Sequence, residues 1–240
     1  MKIKLTANAV CDIGCQKPNN EDMILLHDTM FRDEKKKAVY DAKARLIIAV
    51  ADGVGGLNKG EIASEQALKT LRDILMKIPA DLSNEELRTV FDTYCSETHA
   101  SLPKDMGSTL AGLFFYNGRL FRYHAGDSRI YRKRRGELER LTMDHSLRES
   151  GGQKDAPSNI ITNSIGGGSS AFIEFSEIEF PFFDNDVYML SSDGMHDLVS
   201  QKEIQDVIDN PKAAEMLTDM AKKKGGKDNI SVVTINIEER

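Results

Sequence analysis

Residues 109–127 read TLAGLFFYNGRLFRYHAGD, two apolar runs on either side of Asn117-Gly118. A two-residue hairpin turn needs positive φ at both central positions, which Asn and Gly tolerate, so this pair predicts an antiparallel hairpin. Working outward, Arg129–Arg132 and Glu137–Leu141 form a second hairpin pattern around Gly136. The N-terminal stretch alternates, with Ile3, Leu5, Ala7, Ala9 and Cys11 on one side of an extended chain, as a half-buried strand does. MILLH (23–27), LIIAVA (46–51), FIEFSEIEF (172–180), VYMLSSD (187–193) and ISVVTINI (230–237) supply further apolar strand segments.

Helical spacing is confined to three regions. Ile62, Ala63, Ala67, Leu71, Ile74, Leu75 and Ile78 make one apolar stripe. Ser83-Asn84-Glu85-Glu86 is a capping box opening a second helix through Leu87, Val90, Phe91, Tyr94 and Cys95. Ile204, Val207 and Ile208, then Ala213 to Lys224 before Gly225-Gly226, give a third region. Hairpin-linked strands with helices inserted as pairs predict an α+β fold, in which antiparallel sheets carry helices on their outer faces. No linker or internal repeat divides the chain, so 1–240 is expected to form one domain.

The composition is that of an ordinary globular protein: 240 residues, 40% hydrophobic, 29% charged. A formal net charge of -6 argues against general affinity for nucleic acid or anionic membrane. No apolar run approaches the length of a membrane helix, and Thr6, Asn8 and Asp12 interrupt any signal-peptide core. Three cysteines (Cys11, Cys15, Cys95) are read as free buried thiols, which fits a reducing cytoplasm. RDEKKK (32–37) and RKRR (132–135) are read as solvated turns, the latter with some capacity to hold an anionic partner.

One pattern does not follow from packing. Asp22 opens a strand, Asp52 closes LIIAVA, and Asp127 follows the Asn-Gly hairpin. Asp193 closes VYMLSSD, and Asp228 precedes ISVVTINI. Asp is common at turns, so any one of these is unremarked alone. A layered sheet fold brings strand ends together, however, and converging carboxylates repel by about 4 kcal/mol per pair at 4 Å and an effective dielectric of 20. Protons or multivalent cations must offset that, and an all-oxygen set suits Mg²⁺ or Mn²⁺. A carboxylate shared by a second cation would make a two-metal site suited to phosphoryl chemistry, with the Gly53 carbonyl as a further ligand.

In order along the chain stand DIGCQKPNNED (12–22), VADGVGG (50–56), MGSTLAGLFF (106–115) and HAGDSRIY (124–131). LTMDHS (141–146), NIITNSIGGG (159–168), LSSDGMHD (190–197) and GGKDNISVV (225–233) follow. With these motifs over nearly its whole length, the chain resembles the bacterial PPM-type, metal-dependent protein serine/threonine phosphatases, also called the protein phosphatase type 2C family. The resemblance implies a four-layer αββα sandwich, two antiparallel sheets flanked by helix pairs, with a dinuclear Mn²⁺/Mg²⁺ centre at one edge. By that likeness Asp52 bridges two ions, Asp193 and Asp228 complete one shell, and Glu21 with the Gly53 carbonyl serves the other. Asp22 orients water, and Asp127 with Asp193 holds a weaker third ion. Asp22, Asp52 and Asp193 are thereby the catalytic residues. The resemblance also implies that a metal-activated water would attack phosphorus in line, without a phospho-enzyme intermediate. The implied partners are phosphorylated proteins made by a serine/threonine kinase, in cytoplasmic signal transduction, with the chain a monomer.

Three positions depart from the family pattern. Lys17 stands where members carry a phosphate-gripping Arg, keeping the charge and losing the bidentate fork. Val54 replaces the His that follows Asp-Gly in animal members. The flap is only Leu147 to Ser158, which implies an open site, and Thr162-Asn163 replaces the family's Thr-Arg. His145 and His196 are expected to be hydrogen-bonded structural residues. GVGGLNKG (53–60) lacks the ending of a P-loop, and GGGSS (166–170) reads as a connection. Without a Gly-x-Ser-x-Gly elbow, Ser108 and Ser192 give no serine hydrolase. Two alternatives stay open: a catalytically weak module that binds phosphoproteins or a kinase, and a phosphatase of small phosphate esters.

Overall fold

The computed structural model describes residues 3–41, 45–55, 59–153, 155–157 and 160–239. Gly56 of VADGVGG, Lys154 and Ser158 of the flap, and Asn159 of NIITNSIGGG lie outside them. The strands are β1 (Ile3–Asp12), β2 (Asp22–Leu26), β3 (Thr29–Phe31), β4 (Lys35–Asp41), β5 (Leu46–Gly55), β6 (Met106–Ser108) and β7 (Leu110–Tyr116). They continue with β8 (Arg119–Ala125), β9 (Arg129–Arg134), β10 (Glu137–Arg140), β11 (Ile165–Gly166), β12 (Glu174–Glu177), β13 (Val187–Ser191) and β14 (Ile230–Glu239). The helices are α1 (Gly60–Leu75), α2 (Asn84–Ser101), α3 (Asp193–His196), α4 (Gln201–Val207) and α5 (Ala213–Lys223).

The strands form two antiparallel sheets. One has six strands in the order β10-β9-β13-β14-β1-β4. The other has eight, following β11-β6-β5-β7-β8-β12, with β2 on β5 and β3 on β2. Asn117 and Gly118 take φ of 51° and 74°, the two positive values that a tight hairpin matched to strand twist requires.

Strand parity builds the layers. Along β5, Leu46, Ile48 and Val50 face the other sheet and meet Leu5, Ala7, Tyr188, Leu190, Val233 and Ile235. Ile47, Ala49 and Ala51 face α1 and α2, where they pack with Leu68, Leu71, Phe91 and Tyr94. A third cluster joins Val187, Met189 and Val232 to Met195, Ile204 and Leu217 of α3, α4 and α5. The result is the expected αββα sandwich. α2 begins with the expected capping box: Ser83 Oγ accepts from the Glu86 N–H, and the Glu86 carboxylate accepts from the Ser83 N–H.

Several expectations are corrected. RDEKKK is no turn beyond Glu34: Lys35–Lys37 belong to β4, an edge strand whose residues alternate between exposed and partly buried. Lysines on an edge discourage pairing with another chain. Arg132, Lys133 and Arg134 lie within β9 and are paired with Glu139, Asp209 and Asp186, so this run is not an open anion patch. Ile62 does not join the apolar stripe of α1; it is 53% exposed, while Ala63, Ala67 and Leu71 are buried. In FIEFSEIEF only Glu174–Glu177 is strand. Cys15 is exposed, unlike Cys11 and Cys95, and all three thiols are free. Asp193 begins α3 and does not end the strand before it.

Candidate metal centre

The parity that fills the core also aims the acids. Asp22 continues the Ile24, Leu26 face of β2, and Asp52 continues the Ile48, Val50 face of β5. The two are register partners across the β2–β5 pair. Both therefore point into the space between the sheets, where the apolar filling runs out. From the opposite sheet, Ser192 and Ser231 extend the inward faces of β13 and β14. The Ser192 hydroxyl donates to Asp22 Oδ2 at 2.7 Å and its oxygen accepts from the Ser231 N–H at 2.9 Å. Asp193 follows at the first turn of α3, and Asp228 sits one residue before the buried Asn229.

Glu21 and the Gly53 carbonyl meet at the start of α1. The Gly60 N–H donates to Glu21 Oε1 at 3.2 Å. A Cβ on Gly60 would lie 2.5 Å from the Gly53 oxygen and 2.7 Å from Glu21 Oε1, so both oxygens border one small volume that only glycine leaves open. The Gly53 N–H donates to the Glu21 carbonyl, which also accepts from Ser64 Oγ at 2.6 Å. Asn229, 2% exposed, ties the far side: its side-chain oxygen accepts from the Glu21 N–H, and its amide donates to the carbonyls of Ile13 and Asn19. Thr109 Oγ1 accepts from the Asp52 N–H at 3.0 Å.

The carboxyls feel one another. Burial first, then the charges of Asp193 and Asp228, push Asp22 up to about 7 against the pull of the Ser192 and Ser231 hydroxyls. Burial, Asp228 and Asp197 push Asp193 up to about 6, against a smaller downward pull from Asp52. Asp52 is held well above the usual carboxylate range by burial and then by Asp22, Asp193, Asp127 and Asp228. Asp127 rises to about 7 through burial, Asp193, Asp144 and Asp197. Among the described residues, Asp22 Oδ1 and Asp193 Oδ1 are buried with no hydrogen-bond partner. Buried oxygens without donors, in a knot of acids, fit divalent cations.

Lys17 reaches the same knot, with Nζ 2.6 Å from Asp228 Oδ1. Desolvation opposes its charge, but Asp228 first, then Glu21 and Asp52, hold the ammonium above its ordinary range. Asp127 is set in place by His145. The His145 N–H donates to the Gly126 carbonyl at 2.8 Å, and the Gly126 N–H donates to His145 Nδ1 at 3.2 Å. Asn163, where the family's Arg was expected, donates to the same Nδ1 at 2.8 Å. His196 Nδ1 meets Ser191 Oγ at 3.0 Å, so both histidines are hydrogen-bonded residues of the interior, as expected.

A second group of possible ligands, His124, His145 and Glu174, has its donor atoms within 4.8 Å of one another. Its hydrogen bonds argue against a metal. Asn163 is oriented by Phe172, whose N–H donates to Asn163 Oδ1 while its carbonyl accepts from Nδ2. Nδ1 of His145 is therefore an acceptor twice over, and the neutral ring carries its proton on Nε2, the atom that faces Glu174 Oε1 at 3.4 Å. A metal at Nε2 would drive that proton to Nδ1, against two N–H donors.

The sequence-predicted residues Lys17, Glu21, Asp22, Asp52, Gly53, Asp127, Asp193 and Asp228 thus lie at one rim. Sequence reasoning missed Asn229, Ser192, Thr109 and Asp197. All four stood inside quoted motifs, but nothing in their spacing marks a polar tie. Such a sandwich with an acid-lined rim between its sheets defines a divalent-metal hydrolase scaffold. The sequence profile of the family described as Protein phosphatase 2C matches residues 26–228, and the chain belongs to that family. It is 30% identical over 250 residues to Protein phosphatase PhpP of Streptococcus pneumoniae, covering 95% of this chain and 96% of that one. Among solved structures it matches the catalytic domain of PstP in complex with two manganese ions, with a TM-score of 0.76, 26% identity, 99% of this chain and 100% of that chain covered. It also matches MsPP of Mycobacterium smegmatis in complex with cacodylate, with a TM-score of 0.74, 27% identity, and 95% and 97% coverage.

Proposed function

We propose that the chain is a Mn²⁺- or Mg²⁺-dependent protein serine/threonine phosphatase with a dinuclear centre. The observation that carries this is the gathering of Asp22, Asp52, Asp193 and Asp228 from separate segments, with buried oxygens of Asp22 and Asp193 left without donors. Asp52, central among the acids, would bridge the ions. Asp193 and Asp228 would hold one, and Glu21 with the Gly53 carbonyl the other. Asp127 with Asp193 would take a weaker third. When bound, the ions supply an activated water and neutralise charge on the transferring phosphoryl group. The protein's own residues fix geometry: Ser192 locks one oxygen of Asp22, leaving the other to orient water. Lys17 would meet the substrate phosphate as a point charge.

Phosphorylated proteins from a serine/threonine kinase are the substrates this reading expects, met by a cytoplasmic monomer. Three free thiols agree with that setting, and among the described residues no helix is long and apolar enough to cross a membrane. The test is hydrolysis of a phosphothreonine peptide and of p-nitrophenyl phosphate with Mn²⁺, then with chelator. Turnover of the peptide that chelator abolishes is expected; no turnover of either substrate by the Mn²⁺-loaded protein contradicts the proposal.

A further inference from the structure

Lys17 does not approach the acids from a free-swinging loop. The segment that carries it is stitched to the segment that carries Asp228. The Cys15 N–H donates to the Gly226 carbonyl at 2.8 Å, and Gln16 Nε2 donates to the Gly225 carbonyl at 3.1 Å. Asn229 donates to Ile13 and Asn19 on either side of Lys17. A Cβ on Gly14 would lie 2.2 Å from the Asp228 carbonyl oxygen, so the two backbones run in contact. The ammonium is therefore tethered beside Asp228 at high effective concentration. Asp228 Oδ1 accepts from the Asn229 N–H at 2.8 Å and meets Lys17 Nζ at 2.6 Å, so this oxygen is fully engaged.

We infer that Lys17 is an exchangeable counter-ion of Asp228: it occupies a ligand oxygen until a divalent cation displaces it, and the displaced ammonium then serves the substrate phosphate. The inference rests on the dinuclear reading above. It follows from charge and space. A cation bound to Asp228 would stand against a second cation held by the backbone stitching, so each weakens the other. The displaced Lys17 would stay within reach of the rim and gain an anionic partner when phosphate arrives. Ion loading and phosphate binding are then positively coupled, and by linkage each strengthens the other equally. A lysine suits this exchange, because a single flexible point charge lets go where a bidentate guanidinium fork would hold.

The experiment is calorimetric titration of Mn²⁺ into chelator-stripped wild type, Lys17→Met, Lys17→Gln and Lys17→Arg, followed by inorganic phosphate. Both neutral variants should bind the first Mn²⁺ about tenfold more tightly than wild type, within the usual range for coupled sites. Lys17→Arg, which keeps the charge, should not. Phosphate should bind Mn²⁺-loaded wild type more tightly than the stripped protein, and the gain should shrink about tenfold in Lys17→Met. Equal or weaker Mn²⁺ binding by the neutral variants would overturn the exchange while leaving the metal centre standing. Failure of wild type and variants alike to bind Mn²⁺ would overturn the dinuclear reading and this inference with it.

Discussion

Asp22 and Asp52 are direct partners in the β2–β5 register and share the face that looks between the sheets. Like charges placed directly opposite on a strand pair destabilise it, and among the described residues the nearby ammonium of Lys17 is paired with Asp228 and not with either of them. The metal-free protein thus carries stored repulsion.

That repulsion sets a pH dependence. The folded-state values of Asp22 and Asp127, about 7, and of Asp193, about 6, lie above the unfolded carboxylate value near 3.9. The native state therefore binds more protons than the unfolded state between about pH 4 and pH 7, and stability falls as pH rises through that window. Thermal melts of chelator-treated protein should show Tm dropping by several degrees from pH 4.5 to 7.5, with Mn²⁺ at pH 7.5 restoring it. A Tm that rises steadily over that range without metal would contradict the charge arrangement.

Asp193→Asn removes one charge and one ligand. The metal-free variant should be as stable as wild type or more so at pH 7.5, because repulsion is relieved. Its kcat/KM should fall by at least two to three orders of magnitude, roughly the loss caused by removing one transition-state stabiliser. Retained activity in a folded variant would refute the assigned role.

Gly60→Ala is expected to act through a clash and not through helix propensity. Alanine is the better helix former, yet its Cβ would sit 2.5 Å from the Gly53 oxygen and 2.7 Å from Glu21 Oε1. Helical circular dichroism should be unchanged while Mn²⁺ affinity drops about tenfold, the cost of disturbing one ligand's support. Unchanged Mn²⁺ binding would show that these oxygens do not serve an ion.

Asn229→Ala deletes the side chain that joins Glu21 to Ile13 and Asn19. With three part-buried partners stranded, urea unfolding should report a loss of about 2 kcal/mol, alongside weaker Mn²⁺ binding. A loss under 0.5 kcal/mol, roughly the scale of an ordinary surface change, would mean that the tie does not hold the loops.

Periodicity carried the layers: the Asn117-Gly118 hairpin, the Ser83 capping box and the alternation of β1 all appear where the residues put them. The acids were legible as a set, because a charge at the end of an apolar strand has no packing reason. What stayed hidden depends on distant neighbours. β4 is polar enough to pass for a loop and takes its place through its register with β1 and the packing of Ala38 and Tyr40 on the core between the sheets. β6 and β11 are three and two residues long, too short to show a period. Ile62 fits the helical stripe but turns to solvent, since α1 presents the Ala63, Ala67 and Leu71 side to the sheet. Asn229, Ser192 and Thr109 are common polar residues whose roles exist only once two sheets meet.

The central claim is tested most directly by crystals grown with Mn²⁺ and measured at the manganese absorption edge. The account predicts two anomalous peaks between the sheets, both against Asp52, one also against Asp193 and Asp228 and the other near Glu21 and the Gly53 carbonyl. Peaks at His124, His145 and Glu174 instead, or Asp52, Asp193 and Asp228 facing no ion, would contradict it.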